Sequence, residues 1–214
     1  MTEEQVGADG PLEEERSWRP RIVRDASDVD LVRAEAAATE MLEALGQPVD
    51  GPHMSETPRR MVHAYAELLT VGEFDFTTFP NTEGYDELVL VQDIPLRSVC
   101  EHHMLPFVGV AHVGYLPAGR ILGLSKFARV VDFFSHRAQT QERLTKQIAD
   151  HLQSHLAPRG VGVVVEAEHT CMSLRGVRAT GARTVTSTLY GLLREDPATR
   201  SEFLSLTRNR SVTP

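Results

Sequence analysis

The stretch Ser98-Val99-Cys100-Glu101-His102-His103-Met104-Leu105-Pro106-Phe107 places a thiol, a carboxylate and two imidazoles in four consecutive residues. Its flanks decide the fold class. Before it, Leu88, Leu90, Gln92 and Ile94 alternate with Val89, Val91 and Asp93, which predicts a strand over 87–96. After it a second strand is expected over 107–116, closed by the turn Pro117-Ala118-Gly119-Arg120. The reactive side chains then sit on the connection between two strands, at a sheet edge or rim where functional groups are commonly presented. A second cluster, Glu168-His169-Thr170-Cys171, holds the only other cysteine and directly follows a valine-rich strand expected over 160–167. The fold has to bring these two clusters together.

Between them lie helical patterns. Ser125 looks like an N-cap, opening a helix through Phe127, Val130, Val131 and Phe134. A longer helix is expected over 137–156, with Leu144, Ile148 and Leu152 on its buried side. A fourth strand over 183–190 and a short helix over 201–207 complete the C-terminal half. Two strands, two helices and two strands predict an α+β domain over 85–214, a mostly antiparallel sheet backed by helices.

Upstream, Leu31, Ala34, Ala38, Met41, Leu42 and Leu45 recur along one helical face over 28–45, with Ser27 or Asp28 as cap and Gly46 as stop. A second helix opens at Thr57 and Pro58 and runs through Met61, Tyr65 and Leu68. An aromatic loop is expected over 73–84, so 27–84 forms an N-terminal helical region. Residues 1–26 are acidic, without sustained apolar period, and predict a mobile tail.

The chain has 214 residues, enough for one sizeable domain, and its composition suggests neither repeats nor global disorder. The formal charge of -8 argues against a generic nucleic-acid binder, though not against a local basic pocket for a small anion. Two cysteines are too few for a disulfide scaffold, and each lies beside histidines, which favours a metal site in a reducing compartment. The acidic N-terminus is the reverse of a secretory signal, and no apolar run approaches the roughly 20 residues that span a bilayer. A cytoplasmic protein with no membrane partner is expected.

Zinc takes neutral imidazole nitrogen and thiolate sulfur, and a catalytic zinc keeps one position open. Cys100 and His103, three apart on a turn, can reach one ion, and Cys171 would complete a Cys2His set. Spacing alone leaves open that both cysteines are small buried hydrophobes. His102 and His169 shift the balance, because spare histidines beside an open metal position suit proton transfer. His112, by contrast, is expected to be a structural histidine on a strand face. In Gly123-Leu124-Ser125-Lys126-Phe127-Ala128-Arg129, a helix N-terminus carries Lys126 and Arg129 one turn apart, a plausible cradle for phosphate. A solvated basic turn is the plainer alternative. Arg175 could extend the basic surface towards the metal. Glu142 could cap the long helix or accept two N–H groups from the edge of a guanine.

Taken together, Cys100-Glu101-His102-His103, Gly123-Leu124-Ser125-Lys126, Gln139-Thr140-Gln141-Glu142-Arg143-Leu144-Thr145 and His169-Thr170-Cys171-Met172 through Arg175-Gly176-Val177 resemble GTP cyclohydrolase I, in order and spacing, from about residue 28 to 210. The resemblance implies a T-fold subunit in a homodecamer with sites between subunits, and zinc held by Cys100, His103 and Cys171. It implies GTP as substrate, with Glu142 and Gln141 at the guanine, and Ser125, Lys126, Arg129 and Arg175 at the triphosphate. Arg60 matches a further basic position near the phosphates. The implied reaction begins with attack of a zinc-activated water on C8 of the guanine while His169 protonates the adjacent nitrogen. Formate release follows, and His102 assists ribose opening and the rearrangement to 7,8-dihydroneopterin triphosphate. A family member dedicated to a specialised deazapurine or pterin pathway, and a noncatalytic zinc-binding assembly module, are the competing readings. The chain departs from the family pattern at His63, where relatives often carry lysine or arginine, and at Ser135-His136.

Overall fold

The computed structural model describes residues 20–22 and 29–208. It opens with a two-residue strand, β1 (Arg21–Ile22), followed by helices α1 (Leu31–Ala44) and α2 (Thr57–Leu69). Strand β1 pairs antiparallel with β2 (Phe74–Asp75), so two residues of the expected tail are tied to the body of the protein. The rest of that segment lies outside the described residues. So do Ser27 and Asp28, the expected caps of the first helix. The observed cap is Asp30, whose carboxylate accepts from Arg33 N at 3.0 Å. Helix α2 opens at Thr57, with Pro58 in its first turn, where the missing N–H costs nothing.

Strand β3 (Thr78–Pro80) pairs with β6 (Arg120–Leu122), and Arg120 Nε donates to Thr78 Oγ1 at 2.8 Å. The expected loop over 73–84 thus contains two short strands. Pairings of two or three residues with distant partners leave no local periodicity to read.

The central sheet contains β4 (Val89–Cys100), β5 (Pro106–Leu116), β7 (Ala138–Gln139), β8 (Gly160–His169) and β9 (Thr184–Gly191). Its order is β7-β4-β5-β8-β9, antiparallel throughout except for the short parallel β4–β7 pair. Helices α3 (Ser125–Ser135) and α4 (Gln141–Leu156) cover one face. Phe127, Val130, Val131, Leu144, Ile148 and Leu152 form a core there with Ile94, Leu96, Val113, Val163 and Val165. The architecture is α+β, as expected. The long helix starts at Gln141 instead of 137, because Ala138 and Gln139 are drawn into the sheet beside Val99 and Cys100. Thr140 then caps it, its hydroxyl accepting from Arg143 N at 3.3 Å.

After β8 comes a single turn, α5 (Thr170–Ser173), and after β9 come α6 (Leu192–Glu195) and α7 (Pro197–Arg208). Phe203 of α7 packs on the opposite face of the sheet with Leu116, Val164, Leu189 and Leu193. That contact depends on Gly162, where a Cβ would lie 2.6 Å from the Phe203 ring. At the other end Gly109 faces Ala167, and a Cβ there would come within 2.0 Å of the Glu166 carbonyl oxygen, so β5 and β8 can approach only without a side chain. His112 is buried on β5 and accepts from Asp93 N at 3.2 Å, next to the register shift between Val91 and Ile94. Asp93 has φ 52° there, and His112 supports that bulge, the structural role expected of it.

Candidate metal centre

Sheet order explains why two clusters 71 residues apart in sequence meet. Strands β4 and β8 both run antiparallel to β5 and therefore parallel to each other, so their C-terminal ends lie at one end of the sheet. Cys100 ends β4, His169 ends β8, and the turn into α5 carries Cys171 back towards Cys100. Strand β7 delivers the start of α4, with Gln141 and Glu142, to the same end.

The donor atoms of Cys100, His103 and Cys171 all lie within 4.8 Å of one another. Ligand atoms on a tetrahedral zinc stand roughly 3.5–3.8 Å apart, given bond lengths of about 2.0–2.3 Å, so little closure is needed. Cys100 Sγ is 3.9 Å from His103 Nδ1 and also 3.9 Å from His102 Nδ1, but the histidine that clusters with both sulfurs is His103. Burial pushes the Cys171 thiol up, and the nearby Cys100 sulfur adds to the effect. A thiol kept protonated in this way gives up its proton when a cation is at hand to bind the sulfur, which is the chemistry of a divalent site. The residues therefore fit zinc.

Local hydrogen bonds shape the turn 101–104. Cys100 N donates to Leu105 O at 2.8 Å and Met104 N to Cys100 O at 2.8 Å, and Met104 has φ 53°. Arg143 of α4 pairs with the Glu101 carboxylate and also donates to Ala138 O and Gln139 Oε1. Thr170 Oγ1 donates to Pro106 O at 2.6 Å.

His169 lies opposite Phe107 in the β5–β8 register, and the two rings stack at 4.4 Å with 9° between planes. Burial pushes its pKa down, opposed by the carboxylate of Glu142. Its Nε2 is 2.8 Å from Gln141 Oε1. The amide of Gln141 cannot be turned round, because its nitrogen serves the carbonyls of Val165 at 3.0 Å and Thr184 at 2.9 Å, which only accept. Gln141 Oε1 is therefore an acceptor, and His169 carries its hydrogen on Nε2.

The side chain of Gln141, expected at the guanine, faces inward. Its side chain is only 2% exposed and its polar atoms are already engaged. Glu142, the next residue, is exposed. On α3, Ser125 is the first helical residue and Leu124 the cap, so the Ser125 hydroxyl makes no cap hydrogen bond. Ser125 and Arg129 are exposed and Lys126 is half-buried, and among the described residues no hydrogen bond or ion pair joins these three to the metal cluster. Arg175 is exposed and close enough to act electrostatically on Cys171. Arg60 donates to the His53 carbonyl at 3.0 Å, and His63 lies 3.6 Å from Glu35 of α1. Ser135 and His136 close the end of α3 through the carbonyl of Asp132.

Three contributors are not legible in the sequence. Arg143 and Thr170 lie inside the quoted motifs without a signal of their own, and Tyr65 occupies an apolar helical position, although its hydroxyl donates to Met104 O at 2.8 Å. No local pattern marks such partners.

The profile of the family described as GTP cyclohydrolase I matches residues 34–208. A protein of Streptomyces griseus named GTP cyclohydrolase 1 is 55% identical over 83% of this chain and 90% of its own length. One of the same name from Mycolicibacterium paratuberculosis is 53% identical over 83% of this chain and 89% of its own length. A third, from a Synechococcus strain, is 42% identical over 96% of each. Sequence motifs, the convergent thiols and imidazole, and these relatives agree: the chain belongs to the GTP cyclohydrolase I family.

Proposed function

We propose that the protein hydrolyses GTP with release of formate and forms 7,8-dihydroneopterin triphosphate, as a T-fold subunit of a homodecamer. The observation that carries this reading is the convergence of Cys100, His103 and Cys171 beside a histidine whose tautomer is fixed, in a chain of this family. Zinc held by the three residues supplies, when bound, the Lewis acidity that activates water near neutral pH.

The protein's own groups do the rest. Glu142, exposed at the start of α4 and electrostatically coupled to His169, accepts two N–H groups from the guanine edge and so sets C8 towards the metal. With Nε2–H committed to Gln141, the nitrogen of His169 free for chemistry is Nδ1. It takes the proton of the attacking water and returns it to the ring nitrogen beside C8. The depressed pKa suits this cycle, since the imidazole starts neutral near pH 7. His102, exposed on the turn, serves ribose opening in the later steps. Ser125, Lys126, Arg129, Arg175 and Arg60 bind the triphosphate. In the proposed assembly a neighbouring subunit completes the pocket.

The test is incubation of purified, metal-analysed protein with GTP, following formate and, after oxidation, the fluorescence of a neopterin product. Formate and pterin should appear in equal amounts, and Cys171→Ser should lose both metal and activity. His169→Ala should retain zinc while turnover falls by roughly 10²–10⁴. Full zinc occupancy without either product would sink the proposal.

A further inference from the structure

The turn 101–104 is held from three sides by segments far away in sequence. Arg143 holds its start through Glu101, and Thr170 holds the strand that leaves it through Pro106. Both belong to segments that also carry residues of the centre. The third hold is of another origin: Tyr65 stands on α2, in the N-terminal helix pair, and its hydroxyl donates to Met104 O across 39 residues of sequence. Met104 is the turn residue in left-handed backbone, a conformation that side chains with a Cβ enter at a cost and keep only when their surroundings hold them there. Its neighbour on one side is the metal donor His103. On the other is Leu105, whose carbonyl accepts from Cys100 N. Fixing the Met104 carbonyl therefore fixes the Met104–Leu105 peptide plane, which lies directly after the donor His103 and before the Leu105 carbonyl that accepts from Cys100 N.

We propose that Tyr65 is a positioning residue for the metal centre. Its phenol, delivered by α2, pins the Met104 carbonyl and so holds His103 in reach of Cys100 and Cys171, making the docked helix a working part of the centre. This rests on the reading of those three residues as the metal ligands. Arg60 and Tyr65 share α2, so the helix that contributes a cation towards the phosphates also steadies the metal turn.

Tyr65→Phe keeps the ring and removes only the O–H. Water can take over the half-exposed carbonyl, so circular dichroism and melting temperature should stay close to those of the parent. Hydrogen exchange followed by mass spectrometry should show the amides of residues 101–105 exchanging about fivefold faster, with the rest of the sheet unchanged. Zinc should pass to a chromophoric chelator about tenfold faster, and in cobalt-loaded protein the thiolate-to-cobalt absorption should shift. Thr70→Val serves as control, because it deletes another hydrogen bond of α2, to Ala66 O, that does not reach the turn. It should leave exchange in residues 101–105 unaltered. Unchanged exchange and zinc release in Tyr65→Phe would overturn the proposal, as would an equal effect of Thr70→Val. Failure of the parent protein to bind zinc or cobalt would refute the metal reading, and with it the role assigned to Tyr65.

Discussion

Gln141 shows most clearly how one side chain can serve several partners. Its nitrogen satisfies carbonyls of β8 and β9 and lies 3.2 Å from Thr186 Oγ1, while its oxygen orients His169. Replacing it with leucine preserves volume but leaves buried carbonyls unpaired, for a stability loss of about 1–3 kcal/mol. It also frees the imidazole to change tautomer. Gln141→Leu should therefore lower kcat at least tenfold with KM nearly constant and zinc content unchanged, as steady-state kinetics and metal analysis would show. A rise in KM with kcat preserved would instead place the Gln141 side chain at the guanine. At this scale Cys100, His103 and Cys171 were legible in the sequence, because thiols and imidazoles announce their chemistry by type and spacing. Gln141 and Tyr65 were not: whether a glutamine faces inward, or a tyrosine reaches a particular carbonyl, depends on packing that no single sequence displays.

Among the elements, α4 carries a second consequence. His151 and His155, one turn apart, stack at 4.1 Å, and the rings of Phe76 and Phe134 close around His151. His151 is buried, its Nε2 without a hydrogen-bond partner among the described residues, and burial, reinforced by the charge of His155, lowers its pKa to about 4. The unfolded chain, with an ordinary histidine pKa near 6.5, binds the proton first. Stability from this group is therefore complete above pH 6.5 and is lost as pH falls towards 4. Between pH 7 and 5 the loss is about 2 kcal/mol. Urea unfolding of metal-stripped protein at the two pH values should show it, and His151→Phe should remove most of the difference. The helical elements were largely legible because apolar residues repeat at helical spacing, as Leu144, Ile148 and Leu152 do. The start of α4 and the short strands β1, β2, β3 and β7 were not, since each exists only by pairing with a distant segment.

For the whole molecule, the uncovered apolar surface is the informative feature. The apolar face expected of α1 buries only Ala38, while Met41 is 49% and Leu45 66% exposed. Beside the metal centre, Met104, Met172, Leu174 and Val177 are exposed as well. Such patches are what subunit contacts cover. Native mass spectrometry should find ten chains of 23.7 kDa each, and Val177→Glu should yield smaller species with reduced turnover. A monomer of full activity would refute the assembly. The formal charge of -8 is compatible with a triphosphate substrate because the cations in question, Lys126, Arg129 and Arg175, are local.

The three holds on the metal turn span 39, 42 and 64 residues. Each of these holds closes a long loop, whose entropy opposes it until the strands that carry the turn have paired. Zinc then has nothing to template early in folding. Refolding of the chain should proceed at the same rate with or without zinc, whereas unfolding should slow as zinc is added, because the ion recognises a geometry that the transition state has yet to reach. With zinc bound as proposed, such a centre would act as a latch on a finished fold, the metal setting how long the native state lasts instead of how quickly it forms.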